Sequence, residues 1–383
     1  MPLVNAQDLL QHAYQNQYAV AGIGITDFEL AQAAITAASI TRAPIIFNLV
    51  AHHQAWFNLT ALIPSLIALA KTADIPVAIH FDHATSMEAI DNAIRAGCNS
   101  VMFEPSSQNL LENQTQIAAL QQRYAPLGIA LETVAGHVDE QNIFTSVMQP
   151  ELPTQPATAK YLATRAQPTA LAVSVGNQHG LATKAPKIDF ARLKRIHQDT
   201  ECPLVIHGGS GLTEDQCVRL TRKGVAKINF FSDLAKIIVE QRKKAKDYFS
   251  AAESMQTVLV EQVSGIMRLV GSAGRAAEIL QQCRLWPTRQ LIISAQFLSW
   301  SSEIEQNLQP IFDNLQQILP SIQSVRLFVE HSDNELFNTR VEWLLQLNQA
   351  ETLAPLQHQD LYQHLLNQLR GLATEVSVCQ STQ

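Results

Sequence analysis

The stretch VAIHFDHATSMEAI, residues 77–90, ends an apolar run in two histidines and an aspartate. Val77, Ala78 and Ile79 read as a buried strand, and Thr85 or Ser86 ahead of Met87, Glu88, Ala89 and Ile90 reads as a helix start with its cap. His80, Asp82 and His83 therefore fall where a strand gives way to a helix. Side chains alternate along a strand, so His80 and Asp82 share one face and His83 points differently. Imidazoles beside a carboxylate can bind a metal or move protons. Two more histidines close comparable apolar runs, His179 in GNQHG (176–180) and His207 in LVIHGG (204–209). Imidazole suits zinc, whose catalytic sites keep three protein ligands and an open position. The separations of 96 and 28 residues carry no specificity by themselves. With twelve histidines in the chain, any one of them taken alone is as readily an ordinary loop or core residue.

What could bring such distant residues together is a set of short runs rich in Val and Ile. They are AVAGIGI (19–25), PIIFNLV (44–50), VAIHFD (77–82), SVMFEP (100–105), IALETV (129–134), LAVSVG (171–176), LVIHGG (204–209) and AKINFF (226–231). Segments of helical period such as SMEAIDNAIRAG and TEDQCVRLTRKG lie between most of them, each closed by a glycine. Continuous apolar strands alternating with helices indicate a parallel sheet covered on both faces. Eight such units fit a closed (βα)8 TIM barrel better than an open sheet, and chemistry then belongs at the C-terminal strand ends. Asp82, His83, His179, His207 and Asn229 all fall there.

The pattern fades near residue 276. Residues 277–383 are richer in Gln and Leu and read as a small α+β domain of ferredoxin-like order. The expected elements are a strand (290–297), a helix (302–319), a strand (325–330), a strand or short helix (337–346), a helix (358–370) and a strand (374–379). The barrel is expected to span 1–276.

Composition excludes several functions. The chain has 383 residues and a formal net charge of -7, which gives no electrostatic reason to bind nucleic acid or an anionic membrane. No apolar run reaches the roughly 18–20 residues that span a bilayer. The start, MPLVNAQDLLQHAYQ, lacks a basic region followed by an apolar core, so a secretory signal is not expected. Five scattered cysteines without a Cys-x-x-Cys spacing point to a reducing cytoplasm and no thiolate metal site.

The blocks AIHFDHATSMEAIDNAIRAGCNSVMFEPSS, LAVSVGNQHGL, LVIHGGSGLTEDQCVRLTRKGVAKINFFSDL and YAVAGIGI resemble, in order, those of the class II, zinc-dependent ketose-bisphosphate aldolases. The resemblance runs from about residue 3 to about 276. It implies a lyase of carbohydrate metabolism, glycolysis included, that acts on a small phosphorylated sugar as a homo-oligomer. It places the zinc ligands on His83, His179 and His207 and the proton-transferring aspartate on Asp82. It also implies a phosphate cradle of Gly180, Gly208, Gly209, Ser210, Asn229 and Ser232. Gly180 and Gly208 would line the monovalent-cation site that some members have.

The departures from the family pattern lie around the rest of the substrate. The family's asparagine after the first strand is Gly24, and the serine or threonine after the second falls on Leu49. Glu132 matches the first of two glutamates on the fifth strand, and Val134 replaces the second. The mobile-loop glutamate has no clear match in GHVDEQN, leaving Asp139 and Glu140 as candidates. Val260 stands where many members have a basic residue for the second phosphate, and Phe231 where they have Asp or Ala. Each lost hydrogen bond to a charged group would cost about 1.5–3 kcal/mol. His52 and His53 lie at the functional rim, and adjacent loop histidines are expected to be exposed. The leading expectation is a zinc aldolase with dihydroxyacetone phosphate as one partner. The alternatives are a non-catalytic metal- and phosphate-binding barrel acting as a regulatory subunit, and an isomerase or epimerase working through the same enediolate.

Overall fold

A computed structural model of the chain describes residues 3–105, 109–125, 128–135, 153–178, 180, 185–286, 289–297, 301, 304, 306, 308, 310, 322–331, 339–347, 366–367, 369–370 and 375–382. The chain divides into two compact units, Met1–Trp286 and Pro287–Gln383.

The first unit is the closed parallel barrel. Its strands are β1 (Val20–Gly24), β2 (Ile45–Val50), β3 (Val77–Ala84), β4 (Ser100–Phe103), β5 (Ala130–Val134), β6 (Ala170–Ala172), β7 (Leu204–Ile206) and β8 (Val225–Phe230). Each pairs with the next, and β8 closes the ring by pairing Lys227 with Val20 and Asn229 with Gly22. The interior is graded along the barrel axis. Val20, Ile46, Ala78, Met102, Ala130, Ala170 and Val205 form a dry layer closed from below by Leu9 and Leu10 of the helix Ala6–Gln15. Branched and small apolar side chains fill the barrel interior here, and burying each of the leucines contributes about 1.5–3 kcal/mol. Above this layer the interior turns polar, with His80, Asp82, Ser100, Glu132 and Lys227 all buried.

The helices begin and end where local chemistry dictates. Ser86 Oγ accepts from Ala89 N at 3.2 Å to start Met87–Ala96, and Gly97, at φ 118°, ends it in the left-handed region. Thr213 and Gln216 form a reciprocal capping box at Glu214–Thr221. The first unit runs past the expected boundary at 276 to Trp286, because the helix Ala276–Gln282 puts Ile279 into the barrel-floor cluster, with Cys283 just beyond it.

The second unit is a four-stranded antiparallel sheet of β9 (Arg289–Phe297), β10 (Ile322–His331), β11 (Thr339–Leu347) and β12 (Glu375–Thr382), in the order β10-β11-β9-β12. Helical residues at 304, 306, 308 and 310 lie between β9 and β10, and helical residues at 366, 367, 369 and 370 between β11 and β12. That strand–helix–strand–strand–helix–strand succession is the one a ferredoxin-like unit uses. Of the segment expected as strand or short helix, 337–346, the described residues 339–346 are strand. Among the described residues no helix is long and apolar enough to cross a membrane.

Candidate active site

Strand β3 does not keep strict alternation to its end. Its pairing with β4 shifts register between Phe81 and Ala84, and His83 takes a left-handed φ of 56°. A β-bulge of this kind inserts one residue and turns a side chain from its expected face. The sequence expectation that His83 points away from the Asp82 face is corrected here: the bulge brings Asp82 and His83 to the same mouth. A non-glycine residue in that backbone region costs on the order of 1–3 kcal/mol and persists where its surroundings enforce it. Here Glu104 does so, its Oε2 lying 2.8 Å from His83 Nδ1.

His207 follows β7 and is held in a matching way. Its Nε2 stands 2.8 Å from Glu132 Oε1, and its carbonyl accepts from Asn177 Nδ2 at 3.1 Å. Glu132 is fixed in turn by Lys227 Nζ at 2.7 Å, both groups being 1% exposed. Burial opposes ionisation of Glu132 most strongly. Lys227, the His207 bond and nearby imidazoles outweigh it, holding the carboxyl at about 2.

These carboxylates decide what the two rings can do. Each accepts from its imidazole, so the N–H sits at His83 Nδ1 and at His207 Nε2. The remaining nitrogens, His83 Nε2 and His207 Nδ1, then face one another with lone pairs at 3.2 Å. Two neutral rings so placed repel unless a proton or a cation lies between them. Two nitrogens on one tetrahedral zinc, each at about 2.0–2.1 Å, stand about 3.3 Å apart, so the pair already has the bite of a zinc site. Carboxylate partners behind both imidazoles are the usual support of such ligands. Burial is the largest influence on His83 and disfavours its charge, but Asp82, Glu104 and Glu132 together raise it to about 9. At neutral pH the pair therefore carries a proton when no cation lies between the rings.

Asp82 is 3.8 Å from His83 Nε2, and Asp82, His83 and His207 offer three atoms that could share one ion. Its oxygens are nevertheless engaged. Oδ2 accepts from Asn48 Nδ2 at 2.6 Å and Asn229 Nδ2 at 3.1 Å, and Oδ1 faces His80 Nε2 at 3.3 Å. His80 is oriented by Ser100 Oγ, 2.6 Å from its Nδ1. Burial works against a charged Asp82, yet His83, His207, the His80 bond and Lys227 hold it well below the usual carboxylate range. It is therefore ionised at neutral pH and fits a base better than a ligand. The second cluster, His80, Asp82 and Glu132, already contains the Lys227 ammonium and does not suit a metal.

The remaining expected residues are distributed as follows. His179, Asp139 and Glu140 lie outside the described residues. Gly180 and Gly208 adopt positive φ, 90° and 68°. Gly209 N donates to Asn229 O at 2.7 Å, and a Cβ there would meet Ile228 and that same carbonyl. Ser210 Oγ takes the N–H of Asp233 at 3.3 Å, in the first turn of Ser232–Lys244, a helix with no side-chain cap of its own. Asn229 turns its amide to Asp82, leaving its Oδ1 buried and unpaired. Leu49 is fully buried, and it is its neighbour Asn48 that reaches the site. Val134 is 8% exposed, and Val260 lies on the helix Tyr248–Leu269. His53 is buried rather than exposed as expected, because its 3-10 helix Ala51–Ala55 folds onto β3.

Sequence reading missed Asn48, Glu104 and Lys227. The available signals were parity along β2, the acid ending SVMFEP, and a lysine inside the apolar run AKINFF.

A family model described as fructose-bisphosphate aldolase class-II matches residues 4–275. Protein YdjI of Escherichia coli K12 is 29% identical over 266 residues, 69% of this chain and 96% of YdjI. The crystal structure of the YdjI aldolase superposes with a TM-score of 0.64 at 27% identity, covering 72% of this chain and 99% of that one. A putative fructose-1,6-biphosphate aldolase from Coccidioides immitis shares the fold, with a TM-score of 0.63 at 24% identity, covering 70% of this chain and 97% of its own. The match takes in the whole barrel and every described residue of the site, and the chain belongs to the class-II fructose-bisphosphate aldolase family.

Proposed function

We infer that the protein is a zinc-dependent aldolase that cleaves or forms a C–C bond of a phosphorylated ketose, with dihydroxyacetone phosphate as one partner. The family is metal-dependent, and the observation that carries the reading is the facing pair His83 Nε2 and His207 Nδ1 beside an ionised Asp82. His83 and His207, with His179 as third ligand, would hold the ion. Bound zinc would supply Lewis-acid polarisation of the ketose carbonyl.

In cleavage, Asp82 takes the proton from the hydroxyl on the carbon that leaves as aldehyde. The C–C bond breaks and its electron pair passes to the phosphate-bearing half as an enediolate. That half then needs a proton at carbon, for which Asp139 and Glu140 are the proposed donors. Asn48, Asn229 and His80 fix Asp82, so no reorganisation is needed at the moment of transfer. Gly180, Gly208, Gly209, Ser210, Asn229 and Ser232 are the proposed phosphate cradle, at the start of a helix whose N-cap residue Phe231 supplies no side-chain acceptor. Gly180 and Gly208 are also the proposed lining of a monovalent-cation site.

The test is to assay zinc-loaded protein against fructose and tagatose bisphosphates and ketose monophosphates, with His207→Ala as control. Cleavage of at least one, lost with the metal in His207→Ala, is expected. Ligand binding without any turnover would replace the reading with a non-catalytic barrel.

A further inference from the structure

Beside the base, the barrel mouth carries an aromatic wall that the proton transfer above does not use. Its centre is Phe231, between β8 and the helix Ser232–Lys244. The ring lies over Gly24 at the end of β1, where a Cβ would stand 2.7 Å from Phe231 Cδ2. The His53 ring packs on Phe231 with centroids 5.4 Å apart. His53 is 8% exposed, and its Nδ1 is buried without a hydrogen-bond partner. His53 belongs to the 3-10 helix Ala51–Ala55, which directly follows Val50, the β2 residue paired with Asp82, and packs on β3, so the ring lies at the strand end that carries the base. Trp56 and Phe57, each 6.4 Å from His53, continue the wall outward and remain 62% and 39% exposed.

The chemistry of this wall selects its ligand. A buried ring nitrogen left unpaired is costly unless something bound supplies the partner. Aromatic faces accept C–H groups, and none of these side chains carries a fixed positive charge. A phosphate dianion pressed against Phe231 would lose water and gain no cation. An uncharged group with a hydroxyl for Nδ1 and a C–H or methyl face for Phe231 loses nothing.

We propose that Phe231 and His53 form the subsite for the aldehyde half of the substrate, and that this half is an uncharged hydroxyaldehyde. The proposal rests on the aldolase reading above and narrows it to ketose monophosphates whose single phosphate sits in the Ser210 cradle.

The experiment runs the zinc-loaded, full-length protein in the condensation direction. Dihydroxyacetone phosphate is supplied with lactaldehyde, glyceraldehyde or glyceraldehyde 3-phosphate in turn. The two uncharged aldehydes are expected to exceed the phosphorylated one in kcat/KM by about tenfold or more, the range that a pocket of the wrong polarity imposes. His53→Ala should raise the aldehyde KM roughly three- to tenfold, the worth of one neutral hydrogen bond, and leave the KM for dihydroxyacetone phosphate unchanged. His53→Gln should recover part of that loss. Phe231→Asp should penalise lactaldehyde more than glyceraldehyde, and Phe231→Leu should not. Glyceraldehyde 3-phosphate used as well as the uncharged aldehydes overturns the proposal and leaves the aldolase reading standing. So does a His53→Ala variant whose two KM values rise together. Condensation with no aldehyde at all removes the aldolase reading itself, and this subsite with it.

Discussion

The functional unit at the scale of single residues is the pair of facing imidazole nitrogens, which needs a cation or a shared proton. That requirement predicts how the metal-free protein responds to pH. His83 titrates near 9 in the fold against an ordinary 6.5, so its protonated form stabilises the native state. The contribution is complete below about pH 6.5 and is lost as pH rises through 9, a loss of about 3 kcal/mol. Urea unfolding of chelator-treated protein should show the midpoint falling over that window, and zinc should abolish the alkaline fall because the ion replaces the proton. A midpoint independent of pH from 6 to 9 in the metal-free protein would contradict the facing-pair account. Asp82 makes a separate prediction. Asp82→Asn keeps the shape and the Asn48 and Asn229 neighbours but cannot accept a proton, so zinc content should stay near wild type while kcat falls roughly 10² to 10⁴-fold. Wild-type turnover in a zinc-replete Asp82→Asn protein would remove Asp82 from the role of base.

At the scale of elements, the site depends on strand ends that depart from regular geometry and on glycines that let neighbours approach. β3 bulges at Asp82 and His83, which lets adjacent residues serve one mouth. Gly22 on β1 is a second device. A Cβ there would collide with Asn229 Oδ1, and Asn229 is one of the two amides on Asp82. Gly22→Ala should therefore displace Asn229 and lower kcat, with metal content kept, since the groups nearest that Cβ are Asn229 and the flexible stem of Lys227 rather than His83 or His207. The loss of one hydrogen bond to a carboxylate, about 1.5–3 kcal/mol, sets the expected fall at roughly ten- to a hundredfold. Elemental analysis beside steady-state kinetics checks it: unaltered kcat would mean that Asn48 and His80 suffice to hold the base.

For the whole molecule, the question is what residues 287–383 do. The barrel unit runs to Trp286, which is 1% exposed and donates its backbone N–H to Leu3 O at 2.8 Å. Arg284 adds a two-pronged ion pair to Asp8. A chain ending at Trp286 should fold and bind zinc. One ending at Ala276 should be less stable by several kcal/mol, since it loses Ile279, Cys283 and Trp286 from the core. Self-association through the second unit is a proposal that truncation can test. Light scattering of the Trp286-terminated chain should then give a smaller assembly than the full chain. An unchanged mass with lost turnover would show instead that the second unit completes the active site.

The sequence alone determined the eight strands, to within a few residues at each end, because continuous apolar runs between capped helices leave few other folds. It also placed Asp82, His83 and His207 at strand ends, since that depends only on where each run stops. The tertiary structure decided which groups touch. Asn229 meets Asp82 across 147 residues, and Lys227 meets Glu132 across 95. Those contacts follow from barrel closure and from the β8–β1 register, neither of which is encoded in any local period. The bulge that turns His83, the packing that buries His53 and the Phe231 ring over Gly24 are of the same kind. Alternation along a strand is a property of neighbours in sequence, whereas compensation of a buried charge is a property of neighbours in space.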